Sequence, residues 1–231
     1  MKKFNFLKVI ILFVLILGVF SIGTIQSEAA SNPIKGATVH YKGIKDLAYP
    51  KLSGIKNSNV QNEINTFFQK NHKSHYQAYN ELMKGMKEIQ GDEMCVKYPS
   101  TCNYSYKTSY KLAYQDSNYI SVIIYTDAYT GGAHGLRRVD TFNFNIKTGK
   151  RILLPNVVSP SKATKTKQYI LNYFKKYDLL FNDVTVKDIY LNNETSFIFT
   201  KTGVSVIFQE YEIAPYSAGN PKANVPKSVY K

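Results

Sequence analysis

Few side chains in this 231-residue sequence are equipped for catalysis. There are four histidines, His40, His72, His75 and His134, and two cysteines, Cys95 and Cys102. His72 and His75 stand three apart, a spacing that can set two metal ligands on one helix face. Lys70 and Lys73 flank them, however, and neither a carboxylate nor a third ligand adjoins them. A solvated helix surface is the expected setting, with no metal and no cofactor. Glu210 and Glu212 alternate around Tyr211 as two residues on one strand face would, which reads as a solvent-facing pair. Together with Asp92-Glu93 they do not give the opposed carboxylates of a glycoside hydrolase. No serine nucleophile elbow, HExxH pattern, phosphate loop or dinucleotide fingerprint occurs. The expectation is a protein that is not an enzyme, with a hydrolase using His134 as an alternative.

Two short segments stand out instead. In Tyr129-Thr130-Gly131-Gly132-Ala133-His134-Gly135, three glycines surround one histidine, so the backbone must turn where side chains would clash. Either this is a binding loop presenting His134 and Tyr129, or Gly131 and Gly132 make the turn while His134 hydrogen-bonds buried carbonyls. The second segment is Tyr211-Glu212-Ile213-Ala214-Pro215-Tyr216-Ser217-Ala218-Gly219. Here Pro215 is expected to end a strand, and Tyr216 and Gly219 to shape the loop beyond. A tyrosine exposed on a rigid loop is a frequent recognition element, and closure of the core is the competing role. The candidate binding residues are thus Tyr129, Thr130, Gly131, Gly132, His134, Tyr211, Pro215, Tyr216 and Gly219.

The elements around these loops follow from periodicity. Strand signals cover residues 37–41 and an extended segment reaches Pro50. Asn57, Ser58 or Asn59 can cap a helix over residues 60–87, on which Val60, Ile64, Phe67, Phe68, Tyr76, Tyr79, Leu82, Met83 and Met86 form one apolar stripe. Tyr104, Tyr106, Thr108 and Tyr110 alternate with polar residues as in a strand. Residues 119–125 read as a central strand buried on both faces, after a hairpin turn at Asp116-Ser117-Asn118. A strand over 139–146 ends at the turn Lys147-Thr148-Gly149-Lys150. A second helix spans 161–177, with Tyr169, Ile170, Tyr173 and Phe174 inward. Strands 196–200 and 204–211 pair across a turn whose freedom Gly203 supplies. Grouped strands with two main helices predict an α+β fold, with an antiparallel sheet packed by the helices.

The first 29 residues predict the compartment. Lys2, Lys3 and Lys8 precede an apolar run from Val9 to Val19, and Ser27-Glu28-Ala29 offers small residues at a cleavage position. This is the layout of a secretory signal peptide, leaving no stable membrane anchor after cleavage, although a retained anchor is the alternative. The chain carries a net charge of +14, and the part after residue 29 carries +12. Outside a cell such a surface meets anionic wall polymers and lipid headgroups, and export argues against nucleic acid. In an oxidising compartment Cys95 and Cys102 are expected to pair, worth roughly 2–3 kcal/mol for so short a loop.

Tyr49-Pro50-Lys51-Leu52-Ser53-Gly54, Asn59-Val60-Gln61-Asn62-Glu63-Ile64-Asn65 and the Tyr129–Gly135 loop together resemble the domain of unknown function in the peptidoglycan deacetylase PdaC. Thr141-Phe142-Asn143-Phe144-Asn145, with Lys147-Thr148-Gly149-Lys150 and the Tyr211–Gly219 segment, resembles the companion domain of the RsiV anti-sigma factors. The resemblance implies an RsiV-like extracellular module, with residues 1–29 as signal peptide, 30–140 as the PdaC-like domain and 141–231 as the RsiV-like one. It also implies a secreted, possibly wall-associated protein that binds cell-wall polymer or an extracellular protein such as lysozyme. The deacetylase's metal-binding motifs and a sigma-binding segment are missing from the sequence, so neither deacetylation nor sigma signalling is expected. A basic chain is also a poor electrostatic match for a basic lysozyme.

Overall fold

A computed structural model describes residues 33–231, which form one compact unit. The expected signal peptide, residues 1–29, lies outside the described residues. The fold is α+β with antiparallel sheets. Strands β1 (Lys35–His40) and β2 (Ala48–Ser53) pair as a ribbon. Helix α1 (Ser58–Ile89) follows, capped by Asn57, whose side chain accepts from the amides of Asn59 and Val60. A short α2 (Glu93–Lys97) carries Cys95, which is disulfide-bonded to Cys102 as expected. Strands β3 (Ser105–Gln115), β4 (Tyr119–Tyr129), β5 (Leu136–Asn145) and β6 (Arg151–Ile152) make a four-stranded meander in chain order. Helix α3 (Ala163–Lys175) leads to a three-stranded sheet of β7 (Ser196–Phe199), β8 (Gly203–Ile207) and β9 (Lys222–Pro226), closed by α4 (Lys227–Tyr230). Among the described residues no helix is long and apolar enough to cross a membrane.

Strand β4 reads as a continuous apolar run because both its faces are covered. Ile120, Val122 and Ile124 join Phe142 and Phe144 of β5 and Val60, Ile64 and Phe68 of α1. Phe67, Phe68, Phe142 and Phe144 meet edge to face at centroid separations of 5.2 to 5.8 Å. Burying each such ring stabilises the fold by about 2–3 kcal/mol. On the other face Ile123 packs with Val139 and Ile207. A second core gathers Ile170 and Phe174 of α3 with Phe197, Val204, Val206, Phe208, Val225 and Tyr230.

The two sheets meet through side chains, not strand pairing. Buried Ser121, Thr141 and Asn143 project from β4 and β5 toward β7. Phe199 N donates to Ser121 Oγ at 3.0 Å, Phe197 N to Thr141 Oγ1 at 2.9 Å, and Asn143 Nδ2 to Phe197 O at 2.8 Å. In return, Ser196 Oγ donates to Val139 O at 2.9 Å. Gln209 receives Val139 N at 2.9 Å and donates to Val139 O at 2.7 Å, while Glu210 accepts from Arg137 N at 2.8 Å. β6 pairs with β5 only at Asn143 and Phe144, and the contacts from Ser196, Gln209 and Glu210 satisfy Arg137 and Val139 on the part of the β5 edge that β6 leaves open.

Several expectations are corrected. The α1 stripe is buried only at Val60, Ile64 and Phe68, then at His72 and His75, whereas Tyr79, Leu82, Met83 and Met86 stay half-exposed. His72 and His75 are not solvated surface residues but have relative exposures of 0 % and 8 %. His72 Nδ1 lies 3.2 Å from Phe68 O and Nε2 3.1 Å from Ala48 O, with Tyr49 and His75 against its ring. Glu210 and Glu212 share no strand, because β8 ends at Ile207 and Tyr211 has a φ of 64°. Gly203 does not take a positive φ; a Cβ there would collide with Val225 O of β9, so close approach of strands requires the glycine. The residue types that packed His72 inward are carbonyls and aromatic rings from distant segments, which helix periodicity alone does not reveal.

Burial holds the His72 pKa down to about 4, with repulsion from His75 adding to the effect. The unfolded chain, with an ordinary value of 6.5, therefore takes this proton first. The stabilising effect of neutral His72 is complete above pH 6.5 and is lost as pH falls toward about 4, a span worth roughly 3 kcal/mol. Melting temperature should accordingly fall over that window, and His72→Gln should flatten the fall; parallel profiles would exclude His72 as its source. At the sheet junction, Asn143→Leu and Gln209→Leu should each cost about 1–3 kcal/mol in urea unfolding, since each strands a buried backbone group. Changes below about 0.5 kcal/mol, the range of ordinary surface substitutions, would show that the junction is not stabilising.

Candidate functional site

The β4–β5 loop is shaped from behind. Gly131 and Gly132 have φ of 94° and 90°, a region costly for other residues. A Cβ on Gly131 would also come within 2.6 Å of Thr101 O, so the loop rests on the disulfide-bonded segment. Tyr129 Oη donates to Gly132 O at 2.9 Å and braces the turn. Thr130 is exposed. Beyond the turn His134 emerges exposed, and its Nδ1 donates to Gly135 O at 3.0 Å. A carbonyl can only accept, so Nε2 is left as the acceptor for the Tyr211 hydroxyl, 3.3 Å away.

The second segment is built as two tight turns. Tyr211 sits in the left-handed region, and the turn is held by Glu212, whose Oε2 accepts from Gln209 N at 2.8 Å and whose amide donates to Gln209 O at 3.2 Å. Burial lifts the Glu212 carboxyl above its ordinary range. A tyrosine held at positive φ stores strain of about 1–3 kcal/mol, which persists only where surrounding structure fixes it. Pro215 then opens a single 3-10 turn, Tyr216–Ala218, and Gly219 closes it at a φ of 59°. Pro215 therefore precedes a turn instead of ending a strand.

These turns deliver three rings to one place. His134 and Tyr216 stack with centroids 3.8 Å apart and planes 18° from parallel. Tyr211 lies 6.4 Å from His134 and 5.8 Å from Tyr216, each pair tilted by 26°. The rings remain open to solvent, Tyr211 by 48 % and Tyr216 by 37 %. The two segments, about eighty residues apart, thus form one exposed aromatic platform, and His134 does not reach buried carbonyls.

Beside the platform Arg137 grips Asp127 across β4 and β5, through Nε at 2.6 Å and Nη2 at 3.1 Å. Asp127, Tyr129, Arg137, Glu210 and Tyr216 border a shallow groove of about 310 Å³. Arg137 and Asp127 escaped the sequence reading, which took Glu210 only as one of a solvent-facing pair. Asp127 and Arg137 are opposite residues of a hairpin, so the register alone would have exposed the pair. Glu210 required the tertiary junction. The ring geometry can present flat apolar faces and hydroxyls to a ligand, with Arg137 and Asp127 offering both charges at the edge. Among the described residues His134 hydrogen-bonds only the Gly135 carbonyl and the Tyr211 hydroxyl.

Residues 38–137 match the family described as deacetylase PdaC, and residues 147–228 match a protein family of unknown function, DUF3298. Curated proteins provide no match. Two solved structures share the fold. One is a DUF3298 family member from Bacteroides fragilis, with 14 % identity and a TM-score of 0.60, covering 85 % of this chain and 90 % of its own. The other is a DUF3298 family protein from Pseudomonas aeruginosa, with 13 % identity and a TM-score of 0.51, covering 85 % of this chain and 91 % of its own. This chain therefore pairs a segment similar to the PdaC family with a segment similar to DUF3298, the pairing expected from its sequence.

Proposed function

We propose that this chain is an exported, non-catalytic cell-envelope binding protein that holds wall glycan or anionic wall polymer on the Tyr216–His134–Tyr211 platform. The observation carrying this reading is the exposed stack itself, assembled from two distant loops and held by Pro215, glycines and a strained tyrosine. Aromatic side chains on fixed backbone lose little entropy on binding. Their faces suit the C–H face of a sugar ring, and the tyrosine hydroxyls and the Arg137–Asp127 pair suit its polar edge. The net charge of +12 after residue 29 draws the exported protein toward polyanions. The disulfide fits an oxidising compartment. Docking of the same rings into a hydrolase such as lysozyme is the second reading, favoured by the projecting Tyr216 turn and opposed by like charge.

Co-sedimentation with purified cell walls across a salt series tests this. Binding should be clear at low salt and weaken as salt rises, because exposed charges are screened. Replacing Tyr211 and Tyr216 by alanine should reduce affinity about tenfold or more without lowering the melting temperature appreciably. Absence of sedimentation at low salt would contradict the proposal, as would a stoichiometric lysozyme complex lost in the same variant while wall binding persists unchanged.

A further inference from the structure

A large cavity lies between the end of α1, the β3–β6 sheet and the start of β7. It occupies about 810 Å³, within the size range of small-molecule sites. It opens where α1 leaves the sheet after His75. Its floor is Tyr106, Thr126 and Phe142, and its rim includes the segment Asn193–Phe197. None of the nine candidate residues from the sequence lines it, so this face is independent of the aromatic platform.

Two observations distinguish this cavity from an ordinary crevice. The first is unsatisfied polarity. Thr126 is 6 % exposed, and its Oγ1 has no hydrogen-bond partner; it lies close to the Tyr106 hydroxyl but outside bonding geometry. Asn71 Oδ1, also on the wall, is likewise unpartnered. Only one other buried side-chain polar atom among the described residues lacks a partner, Asn143 Oδ1. Such groups are costly unless something occupies the site with them. Tyr106 Oη lies 2.8 Å from His75 Nδ1, which leaves His75 Nε2 without a protein partner at the cavity wall.

The second observation is that a cation and an anion on the same wall stand outside any close ion pair. The Arg151 guanidinium lies over Phe142 at 4.9 Å and Phe67 at 5.4 Å, and burial removes part of its hydration. None of the ion pairs among the described residues engages it. Glu194 on the rim is also outside all of those pairs; Arg138 bonds Asp140 at 2.9 Å, and beyond bonding distance Asp140 acts on Arg151 and Glu194 on Arg138. A cation held flat on aromatic rings and an acid at the rim, neither in a close ion pair, together with unpartnered amide and hydroxyl groups, form a mixed set. Its complement carries a carboxylate, an amide and an ammonium group.

We propose that this cavity is a second binding site, taking a short peptide or amino-acid-like zwitterion whose carboxylate pairs with Arg151. The ammonium group faces Glu194, and the peptide amide meets Thr126 and Asn71. Arg151 provides a planar fork for bidentate carboxylate recognition that a lysine would not reproduce. The ligand could derive from wall peptide or from protein, and its stereochemistry separates the two sources.

Titration calorimetry on the full chain should use D-alanyl-D-alanine, L-alanyl-L-alanine and the C-terminal amide of each. At least one free dipeptide should bind at millimolar concentration or below, and the matching amide should bind about tenfold more weakly or worse. A preference for the D form indicates a wall source and a preference for the L form a protein source; both support the site. Arg151→Gln should remove the distinction between acid and amide. Glu194→Gln should weaken the free dipeptide yet leave its N-acetylated form unchanged. Failure of both dipeptides to bind, or equal affinity of acid and amide for the unaltered protein, would overturn the proposal. Since the platform residues are elsewhere, Tyr211→Ala with Tyr216→Ala should leave dipeptide binding intact, which keeps this test separate from that of wall binding.

Discussion

The molecule depends on how the open edge of β5 is closed. An antiparallel strand with one unpaired edge leaves amides and carbonyls that must find partners or water. Here the missing partner strand is replaced by side chains: Gln209 takes both backbone groups of Val139, Glu210 takes the amide of Arg137, and Ser196 adds a hydroxyl. In the other direction Ser121, Thr141 and Asn143 satisfy the backbone of β7. Each neutral bond contributes only about 1 kcal/mol net, but losing one partner at a buried position costs more than the bond gains. The interlocking therefore fixes the relative position of the two sheets more strongly than the small Ile123–Val139–Ile207 contact would alone.

The aromatic platform is a consequence of that junction. His134 belongs to the β4–β5 loop, whereas Tyr211 and Tyr216 follow β8, and the rings meet because Gln209 and Glu210 pin the start of the second segment to β5. Asn220 extends the connection with a contact to Arg137 O at 3.3 Å. A ring stack assembled from both halves can exist only while the halves stay docked. The PdaC-like segment and the DUF3298-like segment thus contribute to one surface, and separating them would leave each with an incomplete set of rings.

Much of this fold was legible in the sequence because the relevant forces are local or periodic. Asn57 at the start of α1, the hairpin turn at Asp116 and the two-sided burial of β4 follow from capping, turn chemistry and apolar runs. The disulfide follows from compartment and cysteine count. What escaped depends on distant partners. His72 reads as a surface histidine between lysines, yet Ala48 O and Tyr49 come to it from β2. Tyr211 reads as a strand residue, but Glu212 caps a turn there. β9 was missed because Lys222–Pro226 alternates over only five residues and ends in proline. The two loops were recognisable singly from glycines, proline and tyrosine, while their meeting point was not, since it is set by side chains nearly eighty residues apart.

Native-state hydrogen exchange measures the junction most directly. The amides of Arg137, Val139, Phe197 and Phe199 all donate to side chains across it. If the two halves form one cooperative unit, Val139, Phe197 and Phe199 exchange only through global unfolding, with the same protection as the core amides of β4. Exchange of β7 and the β5 edge through a lower-energy opening, with β4 still protected, would show that the halves separate independently and that the platform is not a fixed surface.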